Sequence, residues 1–322
     1  MIFFKLPNEN AFYTVEEGTG CTPVQFHPFL SGLPPVKFQG QLKILEESQL
    51  PELSSQILNP LSDFQNEQTR EDYLKKVSDV IAFIKKENLK KLVLSRVKTL
   101  RFEQGKLDLS ASFKHLSQNF PNALSYLFIR DGYGWMGAFS ELLGKFHKKS
   151  GRFETMSLAG TLPINEQWSR KEIDEQSAVT DYIANVLANY ADKVDLSPVK
   201  DHHSGNIKHL RTDFRAEIQA ENLERLIEEL HPTPAVCGFP KDLCLKAIRH
   251  FENHNRSLYS GYIKIENEDT IQYFVNLRCS ELHADSASLY LGGGITAESC
   301  PEKEWRETEL KSQAIAQNLK FG

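Results

Sequence analysis

Four glutamates stand in two pairs at three-residue spacing, Glu172 with Glu175 and Glu304 with Glu307, and the second pair follows the run Gly292-Gly293-Gly294. On a helix, residues three apart share a face, so each pair sets two carboxylates side by side. They repel unless a cation sits between them. A divalent metal is the natural candidate, and Lys311, on the face of Glu304 and Glu307, compensates part of the charge. Mg²⁺ wants oxygen ligands in an octahedron and usually keeps waters, so one or two carboxylates from each helix suffice and open positions remain for an anionic ligand. Taken singly, such a pair is more often a solvated helix face; two pairs beside a glycine run weigh toward a site. The glycines end a strand-like run and Pro301 suits a first helical turn, so bare backbone N–H groups meet the positive end of a helix dipole, a junction that suits an anion.

Lys91 shares a strand face with Val93 and Val97. Two readings stay open: an edge-strand lysine facing water, or a desolvated ammonium whose lowered pKa makes it a base near neutral pH. Glu141 arrives at the end of an apolar strand and could be a carboxyl of raised pKa serving as acid. Arg278, inside an apolar strand, needs an anionic partner from the protein or a ligand, and Tyr259 on the neighbouring strand could donate to the same anion. His231, in His231-Pro232-Thr233-Pro234, reads as the residue after a helix ending at 230.

The elements that must position these groups follow from periodicity. Residues 1 to about 65 read as irregular, apart from an extended Val36-Lys37-Phe38 and a strand at 41–45. A helix is predicted over 69–88, with Tyr73, Val77, Val80, Ile81 and Ile84 on one side, and a strand over 89–100. Further helices fall at 109–119, from Ser169 onward, and at 221–230 and 241–251. Strands fall at 125–129, 134–139, 155–159, 197–202, 206–218, 259–265, 270–280 and 288–291. Hairpin spacing, with Asp131-Gly132 as the clearest turn, makes the sheets largely antiparallel and the class α+β, with helices packed outside.

Composition narrows the partners. With 40% hydrophobic residues, 25% charged residues and a net charge of −5, no basic stripe points to nucleic acid. No run approaches the apolar length of a membrane helix. Five cysteines (Cys21, Cys237, Cys244, Cys279, Cys300), odd in number and scattered, read as reduced thiols of a cytoplasmic protein. Nothing demands an oligomer, and a monomer is expected.

Seven segments, in order, resemble those of the chorismate-utilising enzymes, and within them the isochorismate synthases of menaquinone and siderophore pathways. They are Lys91-Leu92-Val93-Leu94-Ser95-Arg96, Gly137-Ala138-Phe139-Ser140-Glu141, Leu158-Ala159-Gly160-Thr161, Lys171-Glu172-Ile173-Asp174-Glu175, His231 to Val236, Arg278, and Gly292 to Lys311. The resemblance implies a large two-lobed antiparallel β-sandwich and a single chorismate-binding domain over 1–322, with 1–65 as a variable N-terminal part and 66–322 as catalytic core. It implies Mg²⁺ held chiefly by Glu175 and Glu307, with Glu172 and Glu304 beside them, and the ring carboxylate of chorismate on that metal. Arg278 and Tyr259 would clamp the enolpyruvyl carboxylate, and Thr161, His231, Lys311 and the amides of Gly292, Gly293 and Gly294 would complete the pocket. Lys91 would correspond to the base that activates water for attack at ring C2, and Glu141 to the acid for the departing C4 hydroxyl. Lys91 together with Ala159 favours water over ammonia as nucleophile.

Three positions depart from the family pattern: Leu162 for the usual Arg, Gln176 for the usual His, and Phe139-Ser140 for the usual Ser/Thr-Pro. None removes the base, the acid or a metal ligand. The expected activity is therefore isochorismate synthase, with salicylate synthase or a non-catalytic chorismate-binding homologue as alternatives. A phosphotransfer enzyme is disfavoured, because the glycine run matches neither GxxxxGK(S/T) nor GxGxxG.

Overall fold

A computed structural model of the chain describes residues 1–61, 68–204 and 207–322. Five strands come first: β1 (Ile2–Lys5), β2 (Phe12–Glu17), β3 (Val24–His27), β4 (Val36–Phe38) and β5 (Gly40–Leu45). Helix α1 (Arg70–Glu87) precedes β6 (Lys91–Arg101), β7 (Leu107–Asp108), α2 (Leu109–Asn119), β8 (Leu124–Arg130), β9 (Tyr133–Phe139), β10 (Leu142–His147) and β11 (Arg152–Pro163). After α3 (Arg170–Leu187) come β12 (Val194–Leu196), β13 (Lys200–Ser204), β14 (Ile207–Glu217), α4 (Leu223–Leu230), β15 (Gly238–Phe239) and α5 (Lys241–Phe251). The chain closes with β16 (Tyr262–Glu266), β17 (Thr270–Val275), β18 (Cys279–Leu282), β19 (Ser286–Ile295), α6 (Pro301–Ala316) and β20 (Lys320–Phe321). Residues 62–65 of the predicted N-terminal part, and residue 206 of the predicted 206–218 strand, lie outside the described residues.

The helices start and stop where local chemistry dictates. Thr69 caps α1 by accepting from the Asp72 amide, and Asn88 ends it in the left-handed conformation that its short polar side chain tolerates. Ser169 and Glu172 form a reciprocal capping box at the start of α3. Pro301 occupies the first turn of α6, where its missing N–H costs nothing.

Two nine-stranded antiparallel sheets result, one in the order β15-β6-β19-β18-β9-β8-β1-β2-β5, the other in the order β12-β14-β11-β10-β17-β16-β3-β4 with β13 on β14. Phe4, Phe26, Tyr126, Phe128, Phe139 and Phe274 fill the space between them. Helices cover the outside: α2 and α6 pack on the first sheet, α3 and α4 on the second, and α1 and α5 on the end of the first around Leu92 and Leu94. No helix of the described residues is long and apolar enough to cross a membrane.

The sheets are continuous through one bent ribbon. β9 pairs with β18 in the first sheet, and β10 pairs with β17 in the second. The chain passes from β9 to β10 through Ser140-Glu141, and from β17 to β18 through Asn276-Leu277-Arg278. The bends are tied together by Val275 N to Glu141 O at 3.0 Å and Ala138 N to Arg278 O at 3.3 Å.

The N-terminal reading needs correction. The extended 36–38 and the strand at 41–45 are present as β4 and β5, but the rest of the segment taken as irregular supplies three more strands, β1 and β2 in the first sheet and β3 in the second, with Ile2, Phe4, Val24 and Phe26 fully buried. Each strand is too short to show a period, and β1 finds its partner far along the chain, with Phe3 opposite Leu127.

Candidate active site

A cleft opens at the bend of the ribbon. β6 brings Lys91, the bends bring Glu141 and Arg278, and α3 brings Glu175. Tyr259 comes from the turn before β16, the three glycines from β19, and Glu307 and Lys311 from α6. Thr161 enters through a bulge in β11, where pairing with β14 shifts between Ala159 and Leu162 and Gly160 takes a φ of 73°. A Cβ on Gly160 would also stand 3.1 Å from Glu172 of α3, so glycine lets the bulge and the helix approach. Eleven of the fourteen predicted residues therefore line one cavity.

Three of the acidic side chains in this region are each matched to a lysine. Lys91 Nζ lies 2.7 Å from Glu175 Oε1, Lys171 Nζ 3.0 Å from Glu304 Oε1, and Lys311 Nζ 2.7 Å from Glu307 Oε1. Lys91 is only 3% exposed. It is thus neither the water-facing edge lysine nor a lone ammonium among aliphatics, but a buried partner of Glu175. Burial pushes the Glu175 carboxyl up, yet Lys91 in contact, with Lys171 and Lys311 nearby, outweighs it and leaves the group below the usual carboxylate range. Glu304 goes the other way: burial and then the adjacent Glu307 raise it against the pull of Lys171 and Ser299. Its Oε2 is buried without a hydrogen-bond partner. No group of three or more His, Cys, Asp or Glu side chains is gathered for a metal among the described residues.

In the same cleft, burial raises Glu141 to about 7, against the downward pull of Lys91, Arg278 and Lys311. Arg278 is lowered to about 10, mainly by burial, with Glu141 opposing. It lies not inside a strand, as predicted, but at the bend, with a φ of 45° that turns the chain from one sheet to the other. Tyr259, predicted to open a strand over 259–265, likewise lies ahead of β16, and burial holds its phenol well above the ordinary value.

The sequence reading missed His209. It sits on β14, its Nε2 2.9 Å from Arg278 Nη2 and its Nδ1 3.0 Å from the Gly160 carbonyl and 3.2 Å from Thr161 Oγ1. Since Arg can only donate, Nε2 is the acceptor and Nδ1 carries the hydrogen. Burial, then Arg278 and Lys311, depress its pKa well below the ordinary value, so the ring is neutral. The sequence signal was one histidine in an alternating strand, which a core position explains equally well.

The glycines are also placed differently. They pair within β19 against β6, Gly294 opposite Val93 and Gly292 opposite Ser95, and do not abut the start of α6. The helix instead folds back along them, so that Lys311, three turns in, donates to the Gly292 carbonyl at 2.8 Å. Glycine leaves room for the side chains that cross the strand. A Cβ on Gly292 would lie 2.5 Å from Tyr259 Oη, one on Gly294 2.5 Å from Lys91 Cε, and one on Gly293 3.3 Å from Glu304 Oε2.

Three predicted residues do not line the cleft. His231 is buried, its Nε2 2.8 Å from the Ser260 carbonyl, and its amide closes α4 on Ile227. Glu172 spends Oε2 on the amide and hydroxyl of Ser169. Glu172 and Glu304 border an adjoining cavity between the first turns of α3 and α6, which shares Thr161, Glu307 and Lys311 with the cleft. Two of the three departures from pattern have structural roles, and Leu162 has no structural explanation. Gln176 Nε2 lies within 3.1 Å of Ser157, Thr180 and Thr212 hydroxyls, Ser140 Oγ lies 2.9 Å from His202 Nε2, and Phe139 packs between the sheets.

Comparison with known proteins gives a consistent result. The family model described as chorismate binding enzyme matches residues 37–320. The isochorismate synthase MenF of Bacillus subtilis is 27% identical over 266 residues, covering 78% of this chain and 56% of that protein. The isochorismate synthase DhbC of the same organism is 29% identical over 273 residues, covering 76% and 67%. The chain thus spans little more than half the length of some of the curated relatives it matches. Among solved structures, Bacillus anthracis DhbC, described as a 2,3-dihydroxybenzoate-specific isochorismate synthase, superposes with a TM-score of 0.82 at 25% identity, covering 98% of this chain and 95% of that one. The menaquinone-specific MenF of Escherichia coli, at 19% identity and a TM-score of 0.81, shares the fold.

Proposed function

Since the chain belongs to the chorismate-binding enzyme family, we propose that it is an isochorismate synthase, an isomerase acting on chorismate. The observation that carries the reading is a single cleft holding both a buried lysine and a buried carboxyl, the latter pushed up to about 7 by its burial. In the reaction, water bonds to ring C2, the two ring double bonds shift, and the C4–oxygen bond breaks. Lys91 takes the proton from the water, and Glu141 gives its proton to the departing hydroxyl, which leaves as water. Lys91 enters this step as a free amine, so its contact with Glu175 must open first. One turnover leaves Lys91 protonated and Glu141 ionised, and a proton returns between them before the next.

Arg278, held by His209, and Tyr259 suit the enolpyruvyl carboxylate, and Thr161, Lys311 and the glycine backbone suit the rest of the ring. For a divalent cation the site offers Glu304 Oε2, buried and unpartnered beside Glu307, and Glu175 over the next glycine. The three are not gathered around one point and each is held to a lysine, so binding requires the lysines to give way. Those three would hold Mg²⁺, with Glu172 retained as the cap of α3. When bound, the cation would offset the charge of the substrate's ring carboxylate. The five cysteines are free, which suits a reducing compartment such as the cytoplasm.

Incubating the protein with chorismate and Mg²⁺ and separating the products by chromatography tests the proposal. Isochorismate that forms only with Mg²⁺ is the expected result. Salicylate with pyruvate, formed without an added lyase, would select a salicylate synthase; chorismate that binds but is not consumed would leave a binding module.

A further inference from the structure

The first sheet runs short of a strand where it borders the cleft. On one side of β6, β19 pairs continuously from Leu92 to Arg101. On the other, β15 reaches only Lys91 and Leu92, with one further bond from the Val93 amide to the Cys237 carbonyl at 3.0 Å. The next groups on that edge are the Val93 carbonyl and the Ser95 amide. They are met by two side chains from the turn after α5. Arg256 Nη2 donates to the Val93 carbonyl at 2.9 Å, and Glu252 Oε1 accepts from the Ser95 amide at 2.7 Å. The same side chains join each other, Nε to Oε2 at 2.9 Å and Nη2 to Oε1 at 2.6 Å, and both are buried.

An edge strand offers a carbonyl and, two residues on, an amide on the same side. A guanidinium and a carboxylate locked in a fork present one donor and one acceptor at matching separation, as a neighbouring strand would. The pair extends further into the site wall. Arg256 Nη1 donates to the Val236 carbonyl at 2.8 Å, and the Arg256 carbonyl accepts from the Tyr259 amide at 2.8 Å. Val93, Val236 and Tyr259 all line the cleft.

We propose that Glu252 and Arg256 are positioning residues that act as a surrogate strand, pinning β6 against the glycine strand and setting Lys91 and Tyr259 in register with each other across the cleft. For its effect on turnover, this inference rests on the isochorismate synthase reading.

Two measurements test it. In the wild-type protein, hydrogen exchange should find the Ser95 amide as protected as that of Leu94, which lies inside the β6–β19 ladder; a freely exchanging Ser95 overturns the surrogate strand. That readout needs neither turnover nor a variant, so it stands even if chorismate proves not to be the substrate. In Arg256→Lys, one nitrogen replaces a fork and cannot serve Val93, Val236 and Glu252 together. Ser95 exchange should accelerate, and kcat should fall on the order of tenfold to a hundredfold, with KM for chorismate within about threefold, at temperatures where the variant is folded. Glu252→Gln should do the same. A folded Arg256→Lys protein with wild-type kcat overturns the positioning role, whatever its melting temperature.

Discussion

Glu141→Gln should inactivate the protein and, above neutral pH, stabilise it. In the folded protein burial raises this carboxyl from 4.5 to about 7, so the native state holds the proton more tightly than the unfolded chain does. The stability gained from that tighter hold is fully present below about pH 4.5 and is lost as pH rises through about 7. At about 1.36 kcal/mol per tenfold change in proton affinity, the difference amounts to about 3 kcal/mol of native-state stability absent at pH 8. Glutamine carries no charge to desolvate, so it escapes this loss. With an unfolding entropy near 2.1 cal/mol/K per residue, about 3 kcal/mol in a chain of this length is roughly 5 °C in melting temperature. Thermal unfolding of both proteins at pH 5 and pH 8 is the assay: the variant should melt higher at pH 8, and the gap should close at pH 5. In parallel, wild-type kcat should decline about tenfold per pH unit above about 7 as Glu141 loses its proton, and the variant should lose roughly 10²- to 10⁴-fold in rate. A melting-temperature gap independent of pH would refute the burial argument.

Lys91→Ala removes the base and strands Glu175, so kcat should drop at least 100-fold, roughly the share of a general base; product chromatography that still shows near wild-type isochorismate would exclude Lys91. Glu304→Gln removes both a buried carboxylate and its repulsion with Glu307. Calorimetry should show Mg²⁺ affinity falling by about tenfold or more, while the cation-free protein melts higher than wild type. Gly294→Ala would set a methyl 2.5 Å from Lys91 Cε and 2.8 Å from Glu175 Oε1. It should push that pair apart and cut kcat at least about tenfold, and unchanged kinetics would show that the side chains have room to yield.

Much of this site was legible because its residues sit on periodic elements. The helix over 109–119 has the predicted bounds, α1 is bracketed by Thr69 and Asn88, and the two faces of β6 divide as alternation requires, with Lys91 toward the cleft and Leu92 and Leu94 toward α1. What periodicity cannot carry is the third dimension. Glu172 and Glu175 look equivalent on a helical wheel; the Ser169-to-Glu172 cap that occupies the first is a local contact at three-residue spacing, whereas the Lys91 contact that holds the second is tertiary. Arg278 and Tyr259 lie at turns between apolar runs, and hydropathy averages across such turns. His209 and the Glu252–Arg256 pair gain meaning only from partners distant in sequence, Arg278 in one case and the open edge of β6 in the other. The first three N-terminal strands were hidden for the same reason.

The bent ribbon constrains how this protein can be rebuilt. Because the connections carrying Glu141 and Arg278 are two and three residues long and are stitched to each other by backbone bonds, a single residue inserted in either would rotate every following side chain to the opposite face of its strand. The hairpin tips at Asp131-Gly132 and at 148–151 lie on exposed turns with no site residue, and there an inserted peptide or a circularly permuted terminus has room. Tolerance to insertion should therefore map the seam between the sheets without reference to any substrate: permissive at the rims, and intolerant along the line where one sheet becomes the other.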